Sequence, residues 1–515
     1  MDTDMDMASI PRSAGIGLAL FSISAVHAAD WKFQPAATLT ETYTDNLTLS
    51  SSNRLSDFVT QLTPEIGIQE QGERTNATLD YRMQGNYYAR YSQLDHYYPG
   101  LDANANSEIL KNTLYLNASA SILQQPFILA APISTNNVNP TGNIINISTW
   151  SITPEVKHRF GTFAKMDASY SHGMQHYTTG GPSLQGTNNQ STLTGAANDT
   201  IDAKLNSGSR FGSLLWGLEL NEIRLSYGNS TSITSKLDTY TANVGYLFTP
   251  KFRIQLTGGY DNDNYVYSGP RPQGRFWNTE ADWAPTSHTK FKASTGHRYF
   301  GSTNSFNATH VTRLTTLNAS YTQDVTSTIL QQPIPAATAI SQLLQAQIPN
   351  AAARQQQVQN LLAGLGTQGA LFGQNVITNQ IFLLKTFNAS FGVNLPRTVV
   401  VLSAFNSTSI PLQPPNVLLP GSLNYGTSKQ QGATLSWNYQ ISPKLTAGAN
   451  AMLTKITFPG QTFSGNTRFI TFGLNRMLSR HLTGSLSLRN NLFTSNLAGP
   501  NYSENALIAS LNWRN

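Results

Sequence analysis

The chain has no cysteine, little charge and few apolar residues. Only 12% of its 515 residues are Asp, Glu, Lys or Arg, and 39% are hydrophobic, whereas soluble globular domains carry about 25% charged and 45–50% apolar residues. The absence of cysteine excludes disulfides, thiolate metal sites and cysteine nucleophiles. The low charge does not indicate disorder, because 21 Tyr, 23 Phe and 7 Trp supply more aromatic surface than a disordered chain carries.

Long hydrophobic runs are also missing. After the first 30 residues, no stretch approaches the roughly 18 consecutive apolar residues that a membrane-spanning helix needs. A helical membrane protein is therefore excluded.

The first 28 residues have the features of an export signal. Arg12 precedes an apolar run over residues 14–26, and small residues follow, with cleavage expected after Ala28 or Ala29. Three aspartates before Met7 are unusual in such a signal, so either Met1 or Met7 is the start. We expect export through the general secretory route to the bacterial outer membrane, with residues 29–515 forming one domain.

Strict alternation of apolar and polar residues recurs along the chain. In residues 77–91, for example, Leu79, Tyr81 and Met83 share one face while polar residues fill the other. This period of two predicts strands with one apolar and one polar face. Short connections alternate with longer polar ones, which is typical of outer-membrane barrels. The sequence therefore predicts an all-β fold: a transmembrane, antiparallel outer-membrane β-barrel of about 22 strands (range 18–24) with both termini on the periplasmic side.

One connection, residues 324–380, is too long for a structureless loop. Apolar residues spaced as on amphipathic helices predict a short helical insert, split at Pro349. The insert is either a plug inside the barrel or a helical cap above it, and the candidate plug residues are Ile340, Leu343, Leu344, Val358, Leu361 and Leu362.

The polar face of the predicted strands supplies candidate lumen-lining residues. They carry both charge signs, so ion selectivity is not predicted. They are Asp80, Arg82, Asn86, Arg90, Glu155, Lys157, Lys165, Asp167, Asp202, Lys204, Arg253, Glu280, Asp282, Lys290, Lys292 and Arg298.

Charge is unevenly distributed. Residues 325–503 contain ten basic residues and no acidic one. Some of these cations fall at predicted periplasmic turns, where a solvated charge costs little. Lys429, Lys455 and Arg468 fall near the outer rim instead, where they are candidates for contacts to lipid phosphates or to an anionic polymer. Nucleic-acid binding is not predicted, because the basic residues are too sparse and scattered to follow a phosphate backbone.

Catalytic and metal-binding patterns are weak. His172 and His176 share a strand face but lie about 13 Å apart, too far to bind one metal. The glycines at 364, 366 and 369 follow a predicted helix rather than a strand, so they do not form a dinucleotide site. The sequence predicts no enzyme, metal or cofactor.

Several stretches carry a family resemblance. ETYTDN at 41–46, SDFVTQ at 56–61, GRFW at 274–277 and GHRYFG at 296–301, with residues 310–319 and 381–405, resemble the PEP-CTERM system-associated outer-membrane barrel proteins. These proteins are themselves similar to β-barrel porins. The resemblance implies a barrel that accompanies exopolysaccharide production and surface-protein sorting, and it brings no catalytic residues.

The functional expectation is a porin-like passage or export accessory. Its expected partners are outer-membrane lipid, a polysaccharide or other polar solute, and envelope export machinery. The alternative is a non-conducting structural or binding barrel whose external loops engage a surface polymer or a partner protein.

Overall fold

The structure is a computed structural model. It describes residues 30–126, 128, 131–134, 136–182, 195–228, 233–265, 271–331, 336–362, 380–413, 426–461, 463–496 and 501–515. The predicted signal at 1–28 lies outside these residues.

Twenty-two antiparallel strands form one sheet, and each strand pairs with the next along the chain. The first eleven strands are β1 (Asp30–Thr44), β2 (Asp57–Gln71), β3 (Thr75–Tyr88), β4 (His96–Leu110), β5 (Leu114–Pro126), β6 (Ile144–Phe160), β7 (Ala164–Thr179), β8 (Ala196–Ser207), β9 (Leu214–Tyr227), β10 (Ile233–Thr249) and β11 (Phe252–Asn262). The others are β12 (Gln273–Thr286), β13 (Thr289–Arg298), β14 (Gly301–Val311), β15 (Thr315–Ser327), β16 (Ile381–Asn394), β17 (Thr398–Pro411), β18 (Ser428–Ser442), β19 (Leu445–Phe458), β20 (Phe463–Met477), β21 (Leu482–Ser495) and β22 (Tyr502–Arg514).

The sheet closes on itself, because β22 pairs with β1 over nine residue pairs, with Thr40 opposite Ser510. Closure leaves no unpaired edge strand, which is required of a sheet that crosses a membrane. The predicted fold class and the count of 22 strands are confirmed.

Alternation along the strands gives the barrel an apolar outward face. Large hydrophobic side chains on this face remain exposed, as at Trp31 (52%) and Leu256 (55%). Aromatic residues on the outward face form two belts, one toward each end of the strands. Tyr43, Phe58, Tyr87, Tyr97, Trp150 and Tyr240 lie in one belt, and Trp31, Phe160, Phe248, Trp283 and Trp513 lie in the other. An exposed apolar band between aromatic belts is the surface that a bilayer covers.

The two ends of the barrel differ in their connections. At one end the strands are joined by turns as short as residues 250–251, and β1 begins and β22 ends there. This short-turn end corresponds to the periplasmic side of outer-membrane barrels. The other, outer end carries most of the long connections, although β13 and β14 are joined there by residues 299–300 alone.

The long connection between β15 and β16 contains two helices, α1 (Ala336–Leu344) and α2 (Ala351–Leu362). They are separated at Pro349 and Asn350, as predicted from the sequence. Neither helix is long and apolar enough to cross a membrane.

Candidate functional site: the inner wall of the barrel

Charged residues cover the inner wall along β6–β13. Fifteen of the sixteen predicted lumen residues lie in strands, on the face opposite the exposed hydrophobic side chains. Cross-strand neighbours alternate in sign: Lys157 lies opposite Asp167, Asp167 opposite Lys204, and Lys204 opposite Glu219. Glu219 of β9 also belongs to this row. It is not among the predicted residues, because apolar residues occur on both faces of this strand and obscure the alternation.

Most of these charges are paired with each other. Lys204 Nζ lies 3.0 Å from Asp202 Oδ1 and 3.2 Å from Glu219 Oε1. Lys292 Nζ lies 3.0 Å from Glu280 Oε1, and Arg253 bridges Glu280 and Asp282. Many of these side chains, including Lys204, Arg253 and Lys292, are a quarter to a half exposed. The wall therefore presents solvated ion pairs of both signs rather than an electrostatic potential of one sign.

Arg90 is not on the inner wall, which corrects the sequence prediction. Strand β3 ends at Tyr88, and Arg90 lies in the outer connection, where its guanidinium donates to Ser56 Oγ at 3.1 Å. The sequence predicts that this strand extends to residue 91, because the alternation of apolar and polar residues continues to that point. The backbone N–H of Arg90 instead donates to the Asp57 carboxylate, and the chain turns.

The connection between β5 and β6 folds into the outer mouth against β2 and β3. The carbonyl oxygen of Asn136 accepts from Gln61 Nε2 and Gln84 Nε2, each at 3.2 Å. The carbonyl of Asn137 accepts from Asn86 Nδ2 at 2.6 Å. Asn86 therefore faces inward as predicted by the strand pattern, but it is fully buried beneath this inward loop rather than open to the lumen.

The same inward loop covers a buried ion pair. Arg489 on β21 and Glu504 on β22 are 1% and 0% exposed, and Arg489 donates to Glu504 Oε1 at 2.9 Å. The same oxygen accepts from Thr44 Oγ1 at 2.8 Å and from Asn139 Nδ2 at 3.0 Å. The loop is thus joined to β1, β21 and β22 as well as to β2 and β3.

The helix pair α1–α2 packs on the inner wall of β15–β19. Ile340, Leu343, Leu344, Val358 and Leu361 are buried with Val399 and Val401 of β17, and Leu362 packs at the edge of this cluster. Leu402, which follows Val401 on β17, lies on the outward face and is 45% exposed. A Cβ atom on Gly392 of β16 would lie 3.1 Å from Leu343 Cδ2, so the glycine permits close approach of α1.

Polar contacts fix the helix pair near the short-turn end. Gln347 lies in the link between the helices, and its Oε1 accepts a hydrogen bond from Thr316 Oγ1 at 2.9 Å. Thr316 and Val399 are the second residues of β15 and β17, which begin at that end. Arg354 donates to Ser341 Oγ and to the carbonyl of Ile348, which ties α2 to α1 and the link. The insert begins at the outer end of β15, whereas these contacts lie near the opposite end of the barrel.

An apolar cluster lies at the outer end of the barrel. It joins Leu237 of β10 and Ile223 of β9 with Ile381 and Leu383 of β16, together with Leu330 from the start of the long connection. Five strands, β11–β15, separate β10 from β16 around the barrel. The cluster therefore connects parts of the wall that are not neighbours.

Acidic residues lie buried beside this cluster, at the outer end of β10 and β11. Arg298 Nε donates to Asp261 Oδ2 at 2.9 Å. Asp263, just beyond β11, accepts from the backbone N–H of Asp238 and from Tyr299 Oη at 2.8 Å. Burial raises the pKa of Asp263 to about 7, although the hydrogen bond from Tyr299 lowers it. Within the described ranges, no group of three or more His, Asp or Glu is placed to hold a metal ion.

The predicted rim cations lie on the outward face rather than in the lumen. Lys429, Lys455 and Arg468 are on β18, β19 and β20, on the same face as Leu435, Leu453 and Ile470. They are near the outer ends of their strands.

Solved structures of other proteins are similar to this chain at low sequence identity. The chain is similar to the FrpB iron transporter of Neisseria meningitidis in its apoprotein form (F5-1 variant), with 9% identity, coverage of 94% of this chain and 81% of that one, and a TM-score of 0.49. The chain is also similar to the ferric-catecholate import receptor Fiu of E. coli K12, with 11% identity, coverage of 94% of this chain and 82% of that one, and a TM-score of 0.45. A third similar structure is OpdO of Pseudomonas aeruginosa, with 10% identity, coverage of 94% of this chain and 97% of that one, and a TM-score of 0.32.

No family model matches the sequence. No curated protein matches it either. The class of the protein is therefore defined by its architecture, a closed 22-strand outer-membrane β-barrel.

Proposed function

We propose that this barrel is a porin-like passage or export accessory for a polar solute or polymer, in which the helix pair α1–α2 restricts the lumen. The observation that carries the proposal is the division of the inner wall. Along β6–β13 the wall presents solvated charges and hydroxyls, and on β15–β19 it holds the helix pair. A hydrated wall offers a path for polar molecules, and barrels much wider than eight strands leave an interior that side chains do not fill.

The narrower proposal concerns the cargo. The resemblance of residues 41–46, 56–61 and 296–301 to the PEP-CTERM system-associated barrels supports an association with exopolysaccharide export or surface-protein sorting. Paired charges of both signs suit a neutral, hydroxyl-rich polymer, because they offer hydrogen bonds without a strong net field. On this proposal the protein performs no chemical step.

A second candidate is a non-conducting barrel that binds a surface polymer or a partner protein. The apolar cluster of Leu237, Ile381 and Leu383 favours it. So does the inward loop, because both features lie at the outer end of the barrel, where an external partner would arrive.

Liposome swelling separates the two candidates. Proteoliposomes containing the purified barrel are placed in isosmotic solutions of neutral sugars, from a monosaccharide to a linear tetrasaccharide. A passage predicts swelling that declines as the sugar grows, and liposomes with the heat-denatured protein serve as the control. No swelling with the monosaccharide would favour the binding barrel.

A further inference from the structure

A patch of cations lies on the membrane-facing surface of β18–β20, at the level of the outer aromatic belt. Lys455 lies ten residues along β19 from Leu445, at the short-turn end. Trp150, in the outer belt, lies ten residues from Phe160 at that end of β6. Arg468 lies nine residues from Met477. These cations therefore occupy positions that aromatic side chains hold on other strands.

The patch borders an open groove of about 450 Å³. Its lining includes the apolar residues Ala433, Leu453 and Leu492, and the polar residues Gln431 and Asn466 as well as Lys455 and Arg468. Cross-strand pairing puts Lys455 beside both amides, with Gln431 opposite it on β18 and Asn466 opposite it on β20. The groove thus combines an apolar surface with cations and amide donors.

No acidic partner balances these cations. The sequence has no Asp or Glu between residues 325 and 503. Within the described part of the chain, Lys429, Lys455 and Arg468 form no ion pair, and Arg468 donates to the neutral Asn490 Oδ1 at 3.2 Å. An arginine with amide neighbours can direct several donors at one phosphate group.

The opposite side of the barrel shows the contrast. On β7–β10 the outward face also carries charges near the outer end, but they pair among themselves. His172 lies 2.8 Å from Asp199, and Lys236 lies 2.7 Å from Asp238. The outward charges of β18–β20 are complementary to an external anion, whereas those of β7–β10 are already compensated.

We propose that the groove on β18–β20 binds the phosphorylated headgroup of an anionic lipid in the outer leaflet. Lys455 and Arg468 contact the phosphate, Gln431 and Asn466 donate hydrogen bonds, and an acyl chain lies along Leu453 and Leu492. Lys429, nearer the outer end of β18, adds long-range attraction. The lipid is favoured over a soluble anion because the cations stand directly above exposed apolar residues that the bilayer covers.

The test measures binding of bis-phosphorylated lipid A to the full barrel in a neutral detergent. The probes are lipid A and the same lipid after removal of both phosphates. The wild type is expected to bind lipid A at least tenfold more tightly, and Lys455→Gln/Arg468→Gln is expected to lose most of that preference. The matched control is Lys444→Gln/Arg476→Gln, which removes the same charge near the short-turn end of the same strands and is expected to keep it.

Several results would overturn the proposal. One is an equal preference for lipid A in both double variants, and another is wild-type binding that does not change between the two lipids. Millimolar inorganic phosphate that displaces lipid A completely would show a site for soluble anions. Should the double variant fail to fold, the single variants Lys455→Gln and Arg468→Gln are measured instead, and each is expected to weaken lipid A binding more than Arg476→Gln does.

Discussion

At the scale of single residues, the face on which a side chain lies determines what it contributes. Val244 lies near the middle of β10 on the outward face and is 48% exposed, whereas its neighbour Asn243 faces inward. An arginine near the bilayer midplane costs about 2–4 kcal/mol on the lipid face, whereas the inner face is hydrated.

We therefore predict that Val244→Arg lowers the amount of folded barrel in the outer membrane and that Asn243→Arg does not. The measurement is the fraction of membrane-associated protein whose gel migration changes on boiling. Similar yields for the two variants would contradict the assignment of the faces on β10.

The buried pair Arg489–Glu504 gives a second residue-scale prediction. Removing one partner of a buried ion pair leaves the other charge uncompensated, which costs about 3–5 kcal/mol. Glu504→Leu and Arg489→Met are each expected to lower the free energy of unfolding by about that amount, whereas the double variant loses less than either single variant. Urea titration of the folded barrel, followed by tryptophan fluorescence, supplies the comparison. A double variant that loses the sum of the two single losses would show that the side chains act independently.

At the scale of elements, an engineered disulfide can test whether α1 of the helix pair packs against β16. The chain has no cysteine, so two introduced thiols can form a disulfide within the chain only with each other. Leu343→Cys with Gly392→Cys brings the two sulfurs within bonding range, since the Cβ position of Gly392 is 3.2 Å from Leu343 Cγ.

Oxidation is expected to remove both thiols from maleimide labelling in the folded Leu343→Cys/Gly392→Cys variant. Leu343→Cys with Phe391→Cys is the control, because Phe391 lies next to Gly392 but on the outward face. Protected thiols in the control, or reactive thiols in the first variant, would place α1 elsewhere.

The connection after β11 is expected to respond to pH. Asp263 has a folded-state pKa near 7 because of burial, against 3.8 when exposed. Between these values the folded connection binds a proton that the unfolded one releases, so its stability falls as the pH rises toward 7 and stays low above it. Asp263→Asn keeps an acceptor for the Asp238 N–H and removes the ionisable group.

Amide hydrogen exchange of residues 263–265 tests this pH dependence. The ratio of wild-type to variant exchange rates cancels the intrinsic effect of pH on amides. This ratio is expected to be several-fold higher at pH 8 than at pH 5. A ratio that stays constant between the two would contradict a buried, titrating Asp263.

The sequence was informative about strands and less so about connections. Alternation predicts many of the strands and their faces, because a side-chain period of two follows from the strand backbone itself. It also put the cations at 429, 455 and 468 near the outer rim. It did not predict that Asn136 and Asn137 fold onto Gln61 and Asn86, because contacts between a polar loop and a polar wall leave no periodic signal.

The helix pair shows the same limit. The spacing of Leu343, Leu344 and Leu361 predicts amphipathic helices, but an apolar stripe does not identify the surface that covers it. That surface is formed by Val399, Val401 and Gly392, which lie close to the short-turn end although the insert begins at the other end. The choice between a plug inside the barrel and a cap above it therefore depends on tertiary contacts, which the spacing of apolar residues does not reveal.

At the scale of the whole molecule, the barrel is asymmetric around its axis. The inner wall of β6–β13 carries paired charges, the wall of β15–β19 carries the helix pair, and the wall from β21 through β3 carries the inward loop. On the outward face, compensated charges lie on β7–β10 and uncompensated cations on β18–β20. On the proposed function, the charged sector of the inner wall is the hydrated path and the helix pair restricts it.

The most direct test of this account is the single-channel conductance of the wild type and of a variant that lacks residues 336–373, in planar bilayers. Connections tolerate changes in length at modest entropic cost, so the strands of the variant should still close, as heat-modifiable migration would show. The account predicts a small wild-type conductance that rises several-fold in the folded deletion variant. An unchanged conductance, or no conductance in either protein, would contradict a passage restricted by the helix pair.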